Sequence, residues 1–201
     1  LNQDGSGWGV YGQRYSSAGV AQGGEFRANT STSSHQLNSA VTGLANGDFI
    51  VTWQAYTPDD GVYGQRYNSA GVSQGAEFRV NTTTVGQQAD PSIAALATGD
   101  FVVIWNSMGQ DGSSSGVYGQ RYNSAGVAQG VEFRVNSQTG NIQDQSFVTG
   151  LADGGFVVVW QSYTQDADGS WGVYGQRYNS AGVAQGAEFH INRYISDTQG
   201  S

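Results

Sequence analysis

Short apolar and alternating runs divide the chain, and clusters of turn residues separate them. In one representative stretch, residues 92–96 are small and mostly apolar, residues 101–105 are apolar on both faces, and residues 117–122 alternate. Residues 132–135 place Phe and Val on one face and Glu and Arg on the other. Runs of this length, bounded by Gly, Asn, Asp and Ser, are typical of strands, and no window has a helical period. The pattern predicts four strands, named a, b, c and d in chain order.

The four-strand pattern recurs with two fixed spacings and one variable spacing. Blocks that read Tyr-Gly-Gln-Arg-Tyr mark strand c, and they begin at Tyr11, Tyr63, Tyr118 and Tyr174. The spacing from each block to the Glu-Phe of strand d, and from there to the next strand b, never changes. The step from the Trp of strand b to the next block is 10, 13 or 14 residues. Constant spacing indicates packed strands in a fixed register, and variable spacing indicates a surface loop, the b–c loop.

A strand that is apolar on both faces needs a sheet on each side of it. Stacked four-stranded antiparallel sheets provide this in a β-propeller, with the small residues of strand a near the axis and the charged strand d at the outer edge. We predict an all-β propeller of about three and a half blades, because the chain carries four c–d hairpins and three a–b hairpins. Tandem β-sandwich or β-solenoid repeats are the alternative. The polar stretches before each strand a, such as residues 136–145, are predicted to be d–a loops.

Residues 1–201 are predicted to form a single repeat domain. Its units cover approximately residues 1–37, 38–91, 92–146 and 147–201. The first unit holds strands c and d alone, and a lone hairpin exposes a long edge that can pair with another chain. We expect self-association through this half-blade, or contact with neighbouring repeats of a longer parent chain.

The composition limits the kinds of binding partner that we expect. The chain has 16 acidic and 8 basic residues, a net charge of −8, no Lys and no Cys. Nucleic-acid binding needs a basic footprint and anionic membranes attract basic segments, so neither partner is expected. No stretch approaches the roughly 20 apolar residues of a membrane-spanning helix. An acidic chain rich in Gly, Ser, Asn and Gln is typical of secreted bacterial proteins, and we expect an extracellular or cell-surface location.

Seven of the eight Arg residues occupy two positions of the repeat. One position lies inside the Tyr block of strand c, and the other follows the Glu-Phe of strand d. Their regular placement predicts structural ion pairs with the neighbouring Glu.

Residues suited to catalysis are few. His35 and His190 are the only histidines, and His190 stands where the other units have Arg. No nucleophile elbow, zinc-binding helix motif or phosphate-binding loop occurs. A glycosidase would need one carboxylic acid with a raised pKa and a second carboxylate nearby, whereas the loop carboxylates here are flanked by Gly and Ser. We predict that the chain is not an enzyme.

The b–c loop is the candidate metal site, because it holds six of the 12 Asp residues. These residues are Asp4, Asp59, Asp60, Asp111, Asp166 and Asp168. Hard oxygen ligands on a loop bent by Gly suit Ca²⁺, and Asp166 with Asp168 is the best candidate pair. The alternative is an ordinary Asp-Gly turn, in which the side chain bonds its own backbone.

Two Trp residues are candidate sugar contacts. Trp8 and Trp171 stand at equivalent positions, three residues before a Tyr block, and the other two units have Asp60 and Ser115 there. An aromatic ring near Asp, Asn and Gly can stack on a sugar ring. The alternative is a ring that packs on the neighbouring blade.

The repeat resembles a known family. Its consensus is Val-Tyr-Gly-Gln-Arg-Tyr-Asn-Ser-Ala-Gly, then Glu-Phe-Arg-Val-Asn-Thr, then Phe-Val-Val-Val-Trp-Gln-Ser. From Val10 to about Asn192 this is similar to a repeat of very large secreted bacterial proteins, the RTX-like or haemolysin-type calcium-binding adhesins. The glycine- and aspartate-rich nonapeptide of RTX proteins is absent, so its calcium binding does not carry over.

The resemblance implies a non-catalytic structural or adhesive repeat module of a larger secreted protein. Ca²⁺ at the Asp-Gly loops is a separate expectation, which rests on the loop Asp residues themselves. A β-propeller lectin that binds cell-surface glycans at one shallow site per blade is the alternative. A glycan-active enzyme is the third hypothesis.

Overall fold

The computed structural model of the chain describes residue 3 and residues 5–56, 60–166 and 169–192. All regular elements within these residues are β-strands. They are β1 (Tyr11–Tyr15), β2 (Ala21–Arg27), β3 (Gln36–Gly43), β4 (Phe49–Ala55), β5 (Gly61–Tyr67), β6 (Phe78–Arg79), β7 (Gln88–Ala95), β8 (Phe101–Met108), β9 (Ser115–Tyr122), β10 (Ala128–Arg134), β11 (Gln143–Gly150), β12 (Phe156–Tyr163), β13 (Trp171–Tyr178) and β14 (Phe189–His190). In the described part of the chain, no helix is long and apolar enough to cross a membrane.

The strands form three four-stranded sheets and one two-stranded sheet, and every pairing within them is antiparallel. Blade 1 contains β3 to β6, blade 2 contains β7 to β10, and blade 3 contains β11 to β14. The two-stranded sheet of β1 and β2 is the N-terminal hairpin. Strands a to d lie side by side in chain order in each blade, which confirms the predicted propeller-like all-β architecture.

The first strand of each blade is the innermost. Strand β3 contacts β7, and β7 contacts β11, so the three a strands line the axis. These strands begin at Gln36, Gln88 and Gln143, which is earlier than the sequence predicted. Part of each predicted d–a loop is therefore strand. The polar residues were misleading because a β-bulge interrupts the alternation of each a strand near its start.

Apolar side chains fill the spaces between neighbouring blades. Trp53, Trp105 and Trp160 of the b strands are almost completely buried, as their invariant position predicted. Between blades 1 and 2, the ring of Phe78 lies against that of Tyr122, with ring centroids 5.5 Å apart. Each described junction between blades has a core cluster of this kind, so the fold is stabilised mainly by blade-to-blade packing.

The repeated Arg of strand c joins neighbouring blades instead of pairing with Glu. Arg66 Nη1 donates a hydrogen bond to the carbonyl oxygen of Ala125 at 2.7 Å, in the c–d turn of the next blade. In the opposite direction, Glu132 Oε2 accepts from the backbone N–H and hydroxyl of Thr82, at 2.7 and 2.9 Å. The predicted Arg–Glu ion pairs are therefore wrong. Among the described residues, the close charged contacts are Arg177 with Asp153 and His190 with Asp166.

Candidate functional site

The bulges of the innermost strands bring unusual residues to the axis. In blade 2 the register of the ladder shifts between Ala89 and Ser92, and equivalent shifts occur in blades 1 and 3. The first of the two residues in each bulge has a positive φ angle, and these residues are Asn38 (50°), Asp90 (52°) and Gln145 (51°). Left-handed backbone costs a non-glycine residue about 1–3 kcal/mol and is concentrated at functional sites. The same strain at three equivalent positions marks this region as the candidate site.

Asp90 is the centre of a polar network that links all three blades. Its Oδ1 accepts a hydrogen bond from Asn38 Nδ2 at 2.6 Å, and its Oδ2 accepts one from Asn106 Nδ2 at 3.3 Å. The side-chain oxygen of Asn106 in turn accepts from the hydroxyl of Ser146 at 3.2 Å. These bonds fix the Asp90 carboxylate while leaving the residue exposed to solvent.

Asp144 is a second carboxyl group in a different environment. It precedes the bulge of β11, and its Oδ1 is buried and accepts no hydrogen bond within the described part of the chain. Burial raises the pKa of Asp144, and the negative charge of Asp90 raises it further. Asp144 is therefore the group of this site that most readily keeps a proton.

Two cavities meet at Asp90. The first, about 240 Å³, lies between blades 2 and 3, and both Asp90 and Asp144 line it. The second, about 460 Å³, lies on the axis and is lined by the bulge residues of all three blades. The axial cavity falls within the range of roughly 300–1,000 Å³ that is usual for small-molecule sites.

Phe147 provides an apolar surface beside the axial cavity. Its side chain is 63% exposed and lines that cavity, whereas the equivalent residues of blades 1 and 2 are Ala40 and Ser92. A large exposed aromatic residue next to hydrogen-bonding groups is the usual arrangement for binding a ring that has one apolar face and a polar rim.

The described b–c loop carboxylates that were predicted as metal ligands contact groups of the fold itself. Asp166 is 6% exposed, and its Oδ1 accepts hydrogen bonds from the Tyr174 hydroxyl and lies 3.2 Å from His190 Nε2. Asp111 Oδ1 accepts from the backbone N–H of Ser113 at 3.1 Å, as in an Asp turn. The second oxygen of each carboxylate is buried and has no hydrogen-bond partner among the described residues. These two residues stabilise the b–c loops on strand c.

Calcium at these loops stays a prediction. Asp4, Asp59 and Asp168 lie outside the described residues. The backbone carbonyl of Asp60 accepts a short hydrogen bond from Arg79 Nη2. Three or more acidic or His side chains grouped to hold a metal ion do not occur in the described ranges. Each described loop offers one carboxylate from this set, whereas Ca²⁺ takes six to eight oxygen ligands.

The two candidate sugar-binding Trp residues occupy the rim of the b–c loops. Trp8 is 48% exposed and its ring lies 5.2 Å from that of His35. Trp171 begins β13 and lies 5.2 Å from the ring of Tyr163. The structure does not bring either Trp into the cavities that contain Asp90 and Asp144.

The residues that the sequence reasoning missed are Asp90, Asp144 and Phe147. All three were assigned to d–a loops or to the start of strand a, where no chemistry was expected. A signal was present in the repeat alignment. A constant Gln at the start of each a strand is followed by Leu37-Asn38, Ala89-Asp90 and Asp144-Gln145, so the identity of these residues varies at positions of fixed spacing.

Comparison with known proteins identifies the fold and no family. No family model matches the chain, and no curated protein matches it. The resemblance to RTX-like adhesins therefore stays a prediction. A protein of unknown function from Dyadobacter fermentans DSM 18053 aligns with a TM-score of 0.56 and 10% identity, over 78% of this chain and 54% of that one.

Two glycoside hydrolases align with the chain. An α-L-arabinofuranosidase from Lactobacillus brevis aligns with a TM-score of 0.50 and 11% identity, over 77% of this chain and 53% of that one. An endo-arabinase from Bacteroides thetaiotaomicron VPI-5482 aligns with a TM-score of 0.48 and 17% identity, over 77% and 61%. The chain thus spans 53–61% of the length of these three structures.

The arabinofuranosidase corrects two of our predictions. We expected a non-catalytic structural or adhesive module, and we expected no enzyme. Both predictions are wrong, because a structure with the same fold is described as a glycoside hydrolase. At 11% identity the likeness establishes the fold alone. The chemistry available to this chain has to be argued from its own residues.

Proposed function

We propose that the chain carries a glycan-active site that hydrolyses glycosidic bonds, with Asp144 and Asp90 as its two carboxyl groups. The observation that carries the proposal is that the two groups line one cavity in unequal environments. Asp144 has a raised pKa because it is half-buried and lies near the charge of Asp90, whereas Asp90 is held by two Asn amides. Glycoside hydrolysis uses such a pair, one group as an acid and the other as a carboxylate.

The roles follow from the protonation states. Protonated Asp144 donates its proton to the glycosidic oxygen while the bond from that oxygen to the anomeric carbon breaks. Water adds to the anomeric carbon and gives up one proton, so one water is consumed per bond. When Asp90 is the base it takes this proton, and exchange with solvent then returns both carboxyl groups to their starting states. When Asp90 is the nucleophile, ionised Asp144 takes the proton directly and is regenerated. Asp90 acts as the base for this water or as a nucleophile that forms a transient ester. The configuration of the released sugar distinguishes these two routes.

The remaining residues of the site suit a sugar ring. Asn38, Asn106 and Ser146 supply amide and hydroxyl groups around Asp90. Phe147 supplies an exposed aromatic face beside the axial cavity. Sugar hydroxyls form hydrogen bonds with amide and hydroxyl groups, and the apolar face of the ring packs on an aromatic residue.

We propose α-L-arabinofuranosides as the first substrate class, because the similar fold includes an α-L-arabinofuranosidase. The extracellular location that the composition favours is the place where a polysaccharide substrate is met. This location and the calcium site are separate proposals, and neither is needed for the chemistry.

The test is hydrolysis of a panel of aryl glycosides and polysaccharides, headed by an aryl α-L-arabinofuranoside and arabinan. Removing a general acid or its partner carboxylate lowers the rate by about 10²–10⁴-fold, and we expect this for Asp144→Asn and for Asp90→Asn. The matched control is Asp111→Asn, an equally conservative change at a b–c loop carboxylate, which should keep its activity. Equal activity of all three variants, or no turnover on the whole panel, would contradict the proposal.

A measurement without substrate tests the carboxyl pair itself. The pKa of Asp144 can be followed by NMR through its side-chain carboxyl carbon. We expect a raised pKa in the native chain that falls in Asp90→Asn, because that change removes the neighbouring charge. An unchanged pKa would mean that the two groups do not interact.

A further inference from the structure

Several buried polar atoms of blade 3 have no hydrogen-bond partner within the described part of the chain. Four of them belong to residues that lie close together, namely Trp160 Nε1, Ser162 Oγ, Gln165 Oε1 and Asp166 Oδ2. Trp160 and Ser162 are almost completely buried, and Asp166 is 6% exposed. The large majority of buried polar atoms in native proteins are paired with protein or with ordered water, so four unpaired atoms in one place need a common explanation.

The four groups share the face of blade 3 that packs against blade 2. Trp160 and Ser162 are two residues apart on β12, so their side chains lie on the same face, and Trp160 shares a core cluster with Ile104 of blade 2. Ser162 is paired with Gly172 of β13. A Cβ on Gly172 would lie 2.6 and 2.8 Å from the two carboxylate oxygens of Asp166. The Asp166 carboxylate therefore covers the sheet directly beside Ser162.

Blade 2 pairs the equivalent groups with each other. Trp105 Nε1 donates to Gln88 Oε1 at 2.9 Å, and Ser107 Oγ donates to Gln110 Oε1 at 2.6 Å. The equivalent residues of blade 3 are Trp160, Gln143, Ser162 and Gln165. Among the corresponding described atoms of blade 2, Asp111 Oδ2 alone is left unpaired.

The b–c loop of blade 3 explains why the direct bonds are not formed there. It is one residue longer than that of blade 2. Gln165 keeps the contact with strand d, since its Nε2 donates to Glu188 Oε1 at 2.7 Å, but its Oε1 does not accept from Ser162. Gln143 Oε1 accepts from Asn136 Nδ2 at 3.1 Å instead of from the indole. Each side chain thus keeps one hydrogen-bonding atom for another partner.

We infer that this face of blade 3 binds one buried water molecule beside Ser162. The water accepts from Trp160 Nε1 and Ser162 Oγ, and it donates its two hydrogens to Gln165 Oε1 and Asp166 Oδ2. Two donors and two acceptors match the four hydrogen bonds of one water, and buried waters typically bond about three otherwise unpaired groups. A metal ion does not fit this set, because it cannot accept the Trp160 N–H.

The water would attach the longer b–c loop to the sheet, as direct side-chain bonds do in blade 2. A loop with one more residue can then dock at the same place, because the water bridges groups that no longer meet. The site lies between two complete four-stranded sheets. The inference is independent of the proposed hydrolysis, because neither Asp90 nor Asp144 belongs to the site.

The test is NMR of the native chain labelled with ¹⁵N, in which cross-peaks between protein protons and water are recorded. The indole N–H of Trp160 should show a cross-peak with the sign that is typical of a long-lived bound water. The indole N–H of Trp105 is the internal control, because it bonds Gln88 directly and should show no such peak. No cross-peak at Trp160, or equal peaks at both residues, would overturn the inference.

The variant Ser162→Ala excludes a false signal that is carried by the exchangeable Ser162 hydroxyl proton. Three groups still hold the water in this variant, so the cross-peak at Trp160 should persist. The melting temperature should fall by roughly 2–4 °C, because one hydrogen bond of the water is lost. Loss of the peak would mean that the hydroxyl produced it. A rise in melting temperature would mean that the buried hydroxyl has no partner, and either result contradicts the inference.

Calcium provides the last comparison. Adding millimolar calcium chloride to the native chain should leave the water cross-peak of Trp160 unchanged, because the site presents an N–H donor that an ion cannot use. Loss of this peak on addition of calcium would identify an ion as the occupant and would overturn the inference.

Discussion

The bulges of the innermost strands and the b–c loops differ between repeats in opposite ways. The b–c loops change in length, yet the described carboxylates Asp111 and Asp166 turn inward and hold the loop to strand c. The bulges keep their length and change in residue identity, and there Asp90 and Asp144 line a cavity. Variable length attracts attention in a sequence, but variable identity on a constant backbone is the better sign of a site. A fixed backbone can hold reactive groups in place, which a loop of drifting length cannot do.

The most direct test of this comparison substitutes one carboxylate from each region by Asn and compares the rates. Asp144→Asn should lower glycoside hydrolysis by about 10²–10⁴-fold, because the general acid is lost. Asp166→Asn, which keeps an acceptor for the Tyr174 hydroxyl, should leave the rate unchanged. The measurement is the steady-state rate on the best substrate of the panel. A larger loss in Asp166→Asn would place the chemistry at the loop.

For the loss of stability we expect the opposite order, with a larger effect at the b–c loop than at the bulge. Asp166→Ala leaves the Tyr174 hydroxyl and His190 without their acceptor in a buried site, and we expect a loss of about 1–3 kcal/mol in the free energy of unfolding. Asp144→Ala removes a carboxyl group whose Oδ1 accepts no hydrogen bond from the residues that the structure describes, so its cost should be smaller. Urea denaturation of the two variants makes the comparison, and an equal loss would show that both carboxylates are structural.

The pH dependence of stability separates Asp144 from the loop residues. Its folded-state pKa is raised above the unfolded value, so the native chain binds a proton that the unfolded chain has released. Stability therefore falls as the pH rises from the unfolded value of about 3.9 through the folded pKa. Asp144→Asn removes this loss and should raise the melting temperature at neutral pH, with little effect near pH 3. No gain at neutral pH would mean that burial does not disfavour the charge.

The smallest expected effect concerns the strained backbone. Gln145 has φ 51° and is exposed, so Gln145→Gly should be neutral or stabilise the fold by up to about 1 kcal/mol. The contrasting change is Gln143→Ala, because Gln143 is fully buried and bonds both Asn136 and the Gly140 carbonyl. We expect Gln143→Ala to destabilise. Thermal melts of both variants would show whether the strain at the bulge is local.

The scaffold was predictable because its physical requirements are repeated. Trp53, Trp105 and Trp160 are buried in every copy, and the all-β propeller-like architecture follows from apolar b strands that need cover on both faces. The start of strand a was missed because a bulge replaces alternation with polar residues, which resemble a loop. The partners of Arg66 and Glu132 were missed because they lie in neighbouring blades, and one repeat read alone offers only its own Glu and Arg.

The candidate site was harder to predict from the sequence, for a related reason. Asp90 and Asp144 are 54 residues apart in different blades and become neighbours only when β7 and β11 meet at the axis. Neither carries a motif, because the pair is assembled from single residues of separate repeats. The raised pKa of Asp144 is likewise a property of burial and of a distant charge, which a local sequence window does not contain.

The identical contacts at the junctions have a consequence for how such a chain can change. Because Arg66 and Arg121 clasp the next blade through backbone carbonyls, a junction does not depend on which side chains its neighbour carries at the axis. The repeat units are therefore interchangeable. A unit can be duplicated, deleted or replaced while the neighbouring blades still pack through the same contacts. One unit can then differ from its neighbours at the axis without loss of docking, and Asn38, Asp90 and Gln145 do differ at the same place in three successive blades.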